Sequence, residues 1–193
     1  VVDSSIPKGE ARAKLGIKGL LIVSAGRFVP WKGFGEILQI FPSIRSAFPG
    51  ATLTLIGDGP ERHLLEEKAA GSGVREAIRF TGSLSKVQLI EWLSAADLFV
   101  LNSSYEGLSH QLIEAVGGFG LPAVATDAGG NPEVQAEFPD RVAIVETGNR
   151  AELLKEITAA LRRKSPVALP KKGAGKFSLA AVAEDLDNFF GTL

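Results

Sequence analysis

The chain has 193 residues, 45% of them hydrophobic and 22% charged, enough to bury one core and too few for two ordinary domains. Its 21 basic and 22 acidic residues leave a formal net charge of -1, which excludes a global pull on nucleic acid or on an anionic membrane, so any anion site has to be local. With no cysteine and only two histidines, disulfides, thiolate metal sites and thiol nucleophiles are excluded together, and neither a metal site nor a cofactor is expected.

In chain order, apolar runs alternate with stretches of helical spacing. Residues 20–25 read as a buried strand, followed by the loop Gly26-Arg27-Phe28-Val29-Pro30-Trp31-Lys32-Gly33 and a helix marked by Ile37, Ile40, Phe41, Ile44 and Phe48. Residues 51–56 form the second strand; the turn Gly57-Asp58-Gly59-Pro60 then enters a helix through Leu64, Leu65 and Ala69, with Pro60 near its first position, where a missing N–H costs least. The third strand, 77–81, ends in Gly82-Ser83-Leu84-Ser85 and leads to a helix through Leu89, Trp92, Leu93 and Ala96. The fourth strand, 98–101, runs into Asn102-Ser103-Ser104-Tyr105-Glu106-Gly107-Leu108-Ser109; the fifth, 123–126, into Asp127-Ala128-Gly129-Gly130-Asn131-Pro132; the sixth is 142–145. Strand-helix alternation repeated about six times implies an α/β, doubly wound, Rossmann-like parallel sheet with helices on both faces, because parallel neighbours need a crossover. This unit is expected over 1–165, with a Pro- and Gly-broken linker at 166–176 and a last segment, 177–193, holding a helix at 179–190.

In such sheets ligands lie beyond the carboxyl ends of the strands, where loops enter helix N-termini. Arg27 and Lys32 share the first of these loops, so both cations can aim at one pyrophosphate without a metal ion; the alternative is two solvated surface cations. Glu106 and Glu114 flank the start of a helix beginning near Leu108 or Ser109. Glu106 then sits at its mouth beside free N–H groups and Glu114 nearly two turns down, roughly 10 Å away at 1.5 Å per residue. That span fits an extended sugar-diphosphate-nucleoside, with Glu114 as a plain helix former facing water as the competing reading. Leu84 offers an apolar surface to a flat base. A dinucleotide fingerprint is absent, since position 62 is Arg62 where a third glycine is required, and there is no Gly-Lys-Ser/Thr phosphate loop. His63 and His110 read as packing or surface residues.

Taken in order, a set of segments over 9–163 resembles the C-terminal, donor-binding domain of the retaining GT-B glycosyltransferases of group 1, family 4. They are Ser24-Ala25-Gly26-Arg27-Phe28-Val29-Pro30-Trp31-Lys32-Gly33, Leu55-Ile56-Gly57-Asp58-Gly59-Pro60-Glu61, Ile78-Arg79-Phe80-Thr81-Gly82, Ala95-Ala96-Asp97-Leu98-Phe99-Val100-Leu101, Tyr105-Glu106-Gly107-Leu108 with Glu114-Ala115, Gly120-Leu121-Pro122-Ala123-Val124-Ala125-Thr126-Asp127 and Gly129-Gly130-Asn131-Pro132-Glu133. The resemblance implies a UDP- or GDP-sugar donor and metal-independent transfer of a hexose to a hydroxyl with retained configuration. It implies that Arg27 and Lys32 hold the diphosphate, that Glu106 touches the sugar and Glu114 the ribose, and that amides of Gly107, Leu108 and Ser109 meet sugar or phosphate. Gly26, Gly57, Gly59, Gly82 and Leu84 line the same donor site by this resemblance. A partner N-terminal acceptor domain is implied, in the same or another chain, with polysaccharide or lipopolysaccharide synthesis as the setting. No methionine opens the sequence, in keeping with a piece of a longer protein or with processing.

One departure stands out. The family helix after Glu114 usually continues through Ala-Met-Ala to a single glycine, whereas Ala115-Val116-Gly117-Gly118-Phe119-Gly120 brings glycines early and is expected to shorten or loosen the helix end. No apolar stretch reaches the roughly 20 residues of a membrane span, so a cytoplasmic chain is expected, peripheral to the inner membrane through the missing domain. Two other functions fit the same residues: a nucleotide-sugar-binding subunit of a two-chain transferase, and a GT-B-like sugar-nucleotide epimerase.

Overall fold

Six short apolar runs hydrogen-bond side by side in the computed structural model, which describes residues 6–163; the expected linker at 166–176 and the last helix at 179–190 lie outside the described residues. The strands are β1 (Leu21–Ala25), β2 (Thr52–Ile56), β3 (Ile78–Phe80), β4 (Leu98–Leu101), β5 (Ala123–Thr126) and β6 (Val142–Val145). All neighbours are parallel, in the order β3-β2-β1-β4-β5-β6. Seven α-helices are described: α1 (Lys8–Leu15), α2 (Phe34–Ala47), α3 (Arg62–Ala70), α4 (Lys86–Ala95), α5 (His110–Ile113), α6 (Asn131–Glu137) and α7 (Arg150–Arg162).

Side chains of successive strand residues point to opposite faces, so a sheet covered on both sides needs apolar residues in unbroken runs. In β1, Leu21, Val23 and Ala25 join one buried cluster with Ala11, Trp92, Leu112 and Val134, while Ile22 joins the other with Phe34, Phe41, Leu65 and Ile157. One face therefore carries α1, α4, α5 and α6, and the other α2, α3 and α7. The doubly wound expectation is met.

Three details differ from the sequence reading. The first three strands begin one residue later than expected and β3 also ends one earlier, because Ala77 closes a 3-10 turn (Arg75–Ala77) and Thr81 already turns into the following loop. Pro60 does not stand at the first position of α3. Arg62 N–H closes a turn on the Gly59 carbonyl at 3.0 Å and Glu61 N–H donates to the Phe28 carbonyl at 3.0 Å, so the helix starts after both. The early glycines do loosen the end of α5, which widens at Glu114 into a π-helical turn, Glu114–Gly118.

At the amino edge of the sheet, Asp97 gathers three donors. Leu21 N–H reaches Oδ2 at 2.7 Å, Arg12 reaches Oδ2 at 3.0 Å, and Lys8 reaches Oδ1 at 2.7 Å. Arg12 also extends to the carbonyls of Ala95 and Gly19 and so clamps α1 to the strand ends. Burial opposes ionisation of Asp97, but the bonds from Lys8, Leu21 and Arg12 outweigh it and hold the carboxyl below its ordinary value.

Candidate functional site

The strand order reverses between β1 and β4, the neighbours in the middle of the sheet. Chain leaving β1 enters α2 on one face and chain leaving β4 enters α5 on the other, which makes this the switch point where sheets of this kind take their ligands. Both expected site loops border it. After β1 comes Gly26, then exposed Arg27, then buried Phe28 and Val29, then a 3-10 turn (Pro30–Lys32) that presents Trp31 and Lys32. After β4 come Asn102 to Ser109, with Ser109 capping α5 by accepting from Leu112 N–H at 3.4 Å.

The two loops meet in an ion pair. Lys32 Nζ lies 2.5 Å from Glu106 Oε1, and the side chains are only 13% and 10% exposed. Ser103 Oγ donates to the same oxygen at 2.6 Å. The backbone joins there as well, since Ser104 N–H donates to the Trp31 carbonyl at 2.7 Å. Asn102, itself buried, donates from Nδ2 to the Gly33 carbonyl at 3.1 Å and to Glu36 Oε2 at 3.0 Å, which ties the start of α2 to the end of β4.

Two glycines make the close approach possible. Gly33 has φ +63°, and a Cβ there would lie 2.1 Å from the Asn102 carbonyl oxygen. Gly129 has φ +55°, and its Cβ would lie 1.9 Å from the Glu106 carbonyl oxygen, so the loop after β5 presses directly on the Glu106 loop. Gly130 N–H completes that contact with a 2.8 Å bond to the Gly107 carbonyl.

The remaining expected residues occupy the same edge. Gly26 N–H donates to the Ile56 carbonyl at 2.9 Å, and Gly57 N–H to the Gly82 carbonyl at 3.0 Å, so the loops after β1, β2 and β3 are stitched in sequence. Gly59 packs against the Phe28 backbone. Leu84 is half-buried against the core beneath α4, Gly107 and Leu108 are exposed, and Glu114 is half-buried where α5 widens. Lys32 and Glu106 thus come into direct contact, whereas Arg27 and Glu114 form no ion pair or hydrogen bond with either. Asp58, held low by the Gly59 N–H and by Arg62, and Asp127, held low by the hydroxyl and N–H of Thr147, stay ionised at the rim. Among the described residues no three or more His, Asp or Glu side chains are gathered so as to hold a metal ion. No helix among them is long and apolar enough to cross a membrane.

Residues 7–174 match the family model described as glycosyl transferases group 1. The chain belongs to this family. Among curated relatives of this group 1 chain, the lipopolysaccharide core biosynthesis glycosyltransferase LpsD of Rhizobium meliloti is 34% identical over 157 residues, covering 81% of the chain and 42% of LpsD. A GDP-mannose-dependent alpha-(1-6)-phosphatidylinositol monomannoside mannosyltransferase of Mycobacterium tuberculosis is 29% identical over 90% of the chain and 48% of its own length. The group 1 chain thus spans less than half of these relatives. Among solved structures, Anabaena HepE in complex with UDP-glucose matches with a TM-score of 0.74 and 21% identity, over 100% of the chain and 54% of HepE, a likeness of fold.

Sequence reasoning gave no role to Ser103, Thr126 or Asn131, yet in this group 1 chain they line up behind Glu106. Thr126 Oγ1 donates to the Ser103 carbonyl at 2.5 Å and Asn131 Nδ2 to the Thr126 carbonyl at 3.0 Å, all three residues being at most 2% exposed. The signal was available for two of them: Thr126 ends the apolar run of β5, and Ser103 stands two residues after β4.

Proposed function

We propose that this chain is the donor-binding part of a metal-independent retaining glycosyltransferase that moves a hexose from a UDP- or GDP-sugar to an acceptor hydroxyl. The single observation that carries the reading is the meeting of Lys32 and Glu106 at the switch-point crevice, a cation and an acid side by side where an α/β sheet takes its ligand. Support also comes from family membership, from relatives named for lipopolysaccharide core and GDP-mannose-dependent transfer, and from a structural neighbour that holds UDP-glucose.

In this reading Arg27 and Lys32 bind the diphosphate and stabilise the negative charge that grows on it as the bond to the sugar C1 breaks. The acceptor oxygen bonds to C1 on the face the phosphate leaves, and its proton passes to the departing phosphate, so no protein nucleophile is required. Glu106 accepts from sugar hydroxyls, and the amides of Gly107, Leu108 and Ser109 meet sugar or phosphate. Glu114 accepts from the ribose. Gly26, Gly57 and Gly59 line the nucleotide from the loops after β1 and β2, and Gly82 and Leu84 face the base. An N-terminal acceptor domain, in the same or another chain, closes the crevice from the far side, and a cytoplasmic location at the inner membrane follows from that domain.

Thermal unfolding of the protein against UDP, GDP, UDP-glucose and GDP-mannose, with and without EDTA, tests the reading. A rise in Tm with one nucleotide series, unchanged by EDTA, is expected; no rise with any of the four, or a rise that EDTA abolishes, overturns it.

A further inference from the structure

We propose that Glu106 is an internal rival of the diphosphate for Lys32, so that the site favours an intact sugar nucleotide over the spent nucleoside diphosphate. This rests on the donor-site reading above and adds a selectivity that the reading does not contain.

The ion pair sets the terms. Lys32 and Glu106 are both largely withdrawn from water, and each is tolerated there because the other is 2.5 Å away. A diphosphate arriving at Lys32 brings a second anion to a cation that already has one. The ammonium has three N–H groups and can serve both, but the two anions then repel each other across it. How strongly Glu106 opposes the newcomer depends on whether it can turn aside.

It is held against turning. Ser103 Oγ donates to Glu106 Oε1, the oxygen that also takes the lysine, and Ser103 is itself fixed by the Thr126 hydroxyl, with Asn131 bonded to the Thr126 carbonyl behind it. The loop carrying Glu106 is clamped by Gly130 N–H on the Gly107 carbonyl and by Gly129 against the Glu106 carbonyl. Both side-chain bonds fall on Oε1, leaving Oε2 without one among the described residues. A sugar attached to the diphosphate brings hydroxyl donors to that carboxylate and replaces what the lysine gives up, so the repulsion is compensated. After transfer the nucleoside diphosphate brings none. Glu106 then reclaims Lys32, and the product is released more readily than its phosphates alone would allow. Ser103 is a positioning residue in this scheme, acting only through the carboxylate.

Titration calorimetry of the full chain with UDP and uridine, or GDP and guanosine if the protein selects guanine, is the test, with thermal unfolding to verify that each variant folds. Glu106→Gln keeps the shape and the Ser103 partner and removes the charge. It should bind the nucleoside diphosphate roughly tenfold more tightly than wild type, leave the plain nucleoside unchanged, and reduce the preference for UDP-glucose over UDP, or for GDP-mannose over GDP. Glu106→Ala covers the case in which glutamine disturbs the loop, and should change affinity in the same direction. Unchanged or weaker diphosphate binding in both variants overturns the inference, as does an equal gain for the nucleoside, which signals a reshaped pocket instead of a removed rival. If wild type binds neither UDP nor GDP, the donor-site reading itself fails and takes this inference with it, a result distinct from tight wild-type binding that ignores Glu106.

Discussion

At the amino edge of the sheet, Asp97 is saturated by the protein's own backbone and by two cations of α1, whereas at the carboxyl edge Glu106 takes one lysine and one serine, both on a single oxygen. The first acid sits directly before β4 and bonds the first amide of β1, so it fastens secondary structure. The second sits in a loop and bonds another loop across a crevice. Under the donor-site proposal, the contrast separates a structural charge from a working one in the same fold. The structural charge has its capacity consumed by strand and helix ends, while the pair proposed for the donor keeps a lysine with spare donors and a carboxylate with a spare oxygen.

Asp97→Ala is expected to break the amino edge most severely. It leaves the Leu21 amide and the Arg12 guanidinium without their partner in a largely buried place, a loss of about 2–3 kcal/mol. Thermal unfolding should report a Tm lower by roughly 5–10 °C. Nucleotide affinity of the folded fraction should not move; a parallel fall in affinity would erase the distinction between the two edges.

Lys32→Ala and Arg27→Ala should weaken UDP or GDP binding by roughly tenfold or more, about 1.4 kcal/mol, and Lys32→Ala should lower Tm as well, because it leaves Glu106 without its cation in a largely buried place. Arg27 stands exposed, so its variant should unfold as wild type does, and calorimetry beside a melting curve separates the two. Unchanged affinity in both variants would remove the diphosphate from this loop. Glu114→Ala should cost a smaller factor, about threefold to fivefold, and should cost it for the plain nucleoside as well as for the diphosphate. Loss confined to the sugar-bearing donor would exchange the roles given to Glu106 and Glu114.

The smallest effect is one of pH. Because the folded state holds Asp97 below its ordinary value, its contribution is fully present above the unfolded carboxylate pKa, about 3.9, and fades as pH falls through the lower folded value. The gap in Tm between wild type and Asp97→Asn should therefore be constant near neutrality and narrow only in the acid range below about pH 4. A gap that closes between pH 5 and 7 would assign the stabilisation to another group.

Much of this was legible from residues alone, for definable reasons. A run such as 98–101, apolar at every position, reads as a strand buried on both faces, and the alternation of such runs with amphipathic stretches points to parallel crossovers. The loops rich in Gly, Ser and charge after each strand were legible as well. Helix α1 was not, because it buries only Ala11 and is held by ion pairs to a residue some ninety positions away, a signal with no periodicity. Nor was the string from Asn131 through Thr126 to Ser103, whose members look like ordinary strand-end polar residues until β4 and β5 are set side by side.

The sequence by itself determined which residue types stand at the ends of which strands, since hydrophobic pattern and turn chemistry are local properties. That Lys32 should face Glu106 across 2.5 Å, and not some other acid, was decided only when β1 and β4 became neighbours. Strand order is set by how two faces of helices share one core, a condition on the whole chain, and no short segment contains it.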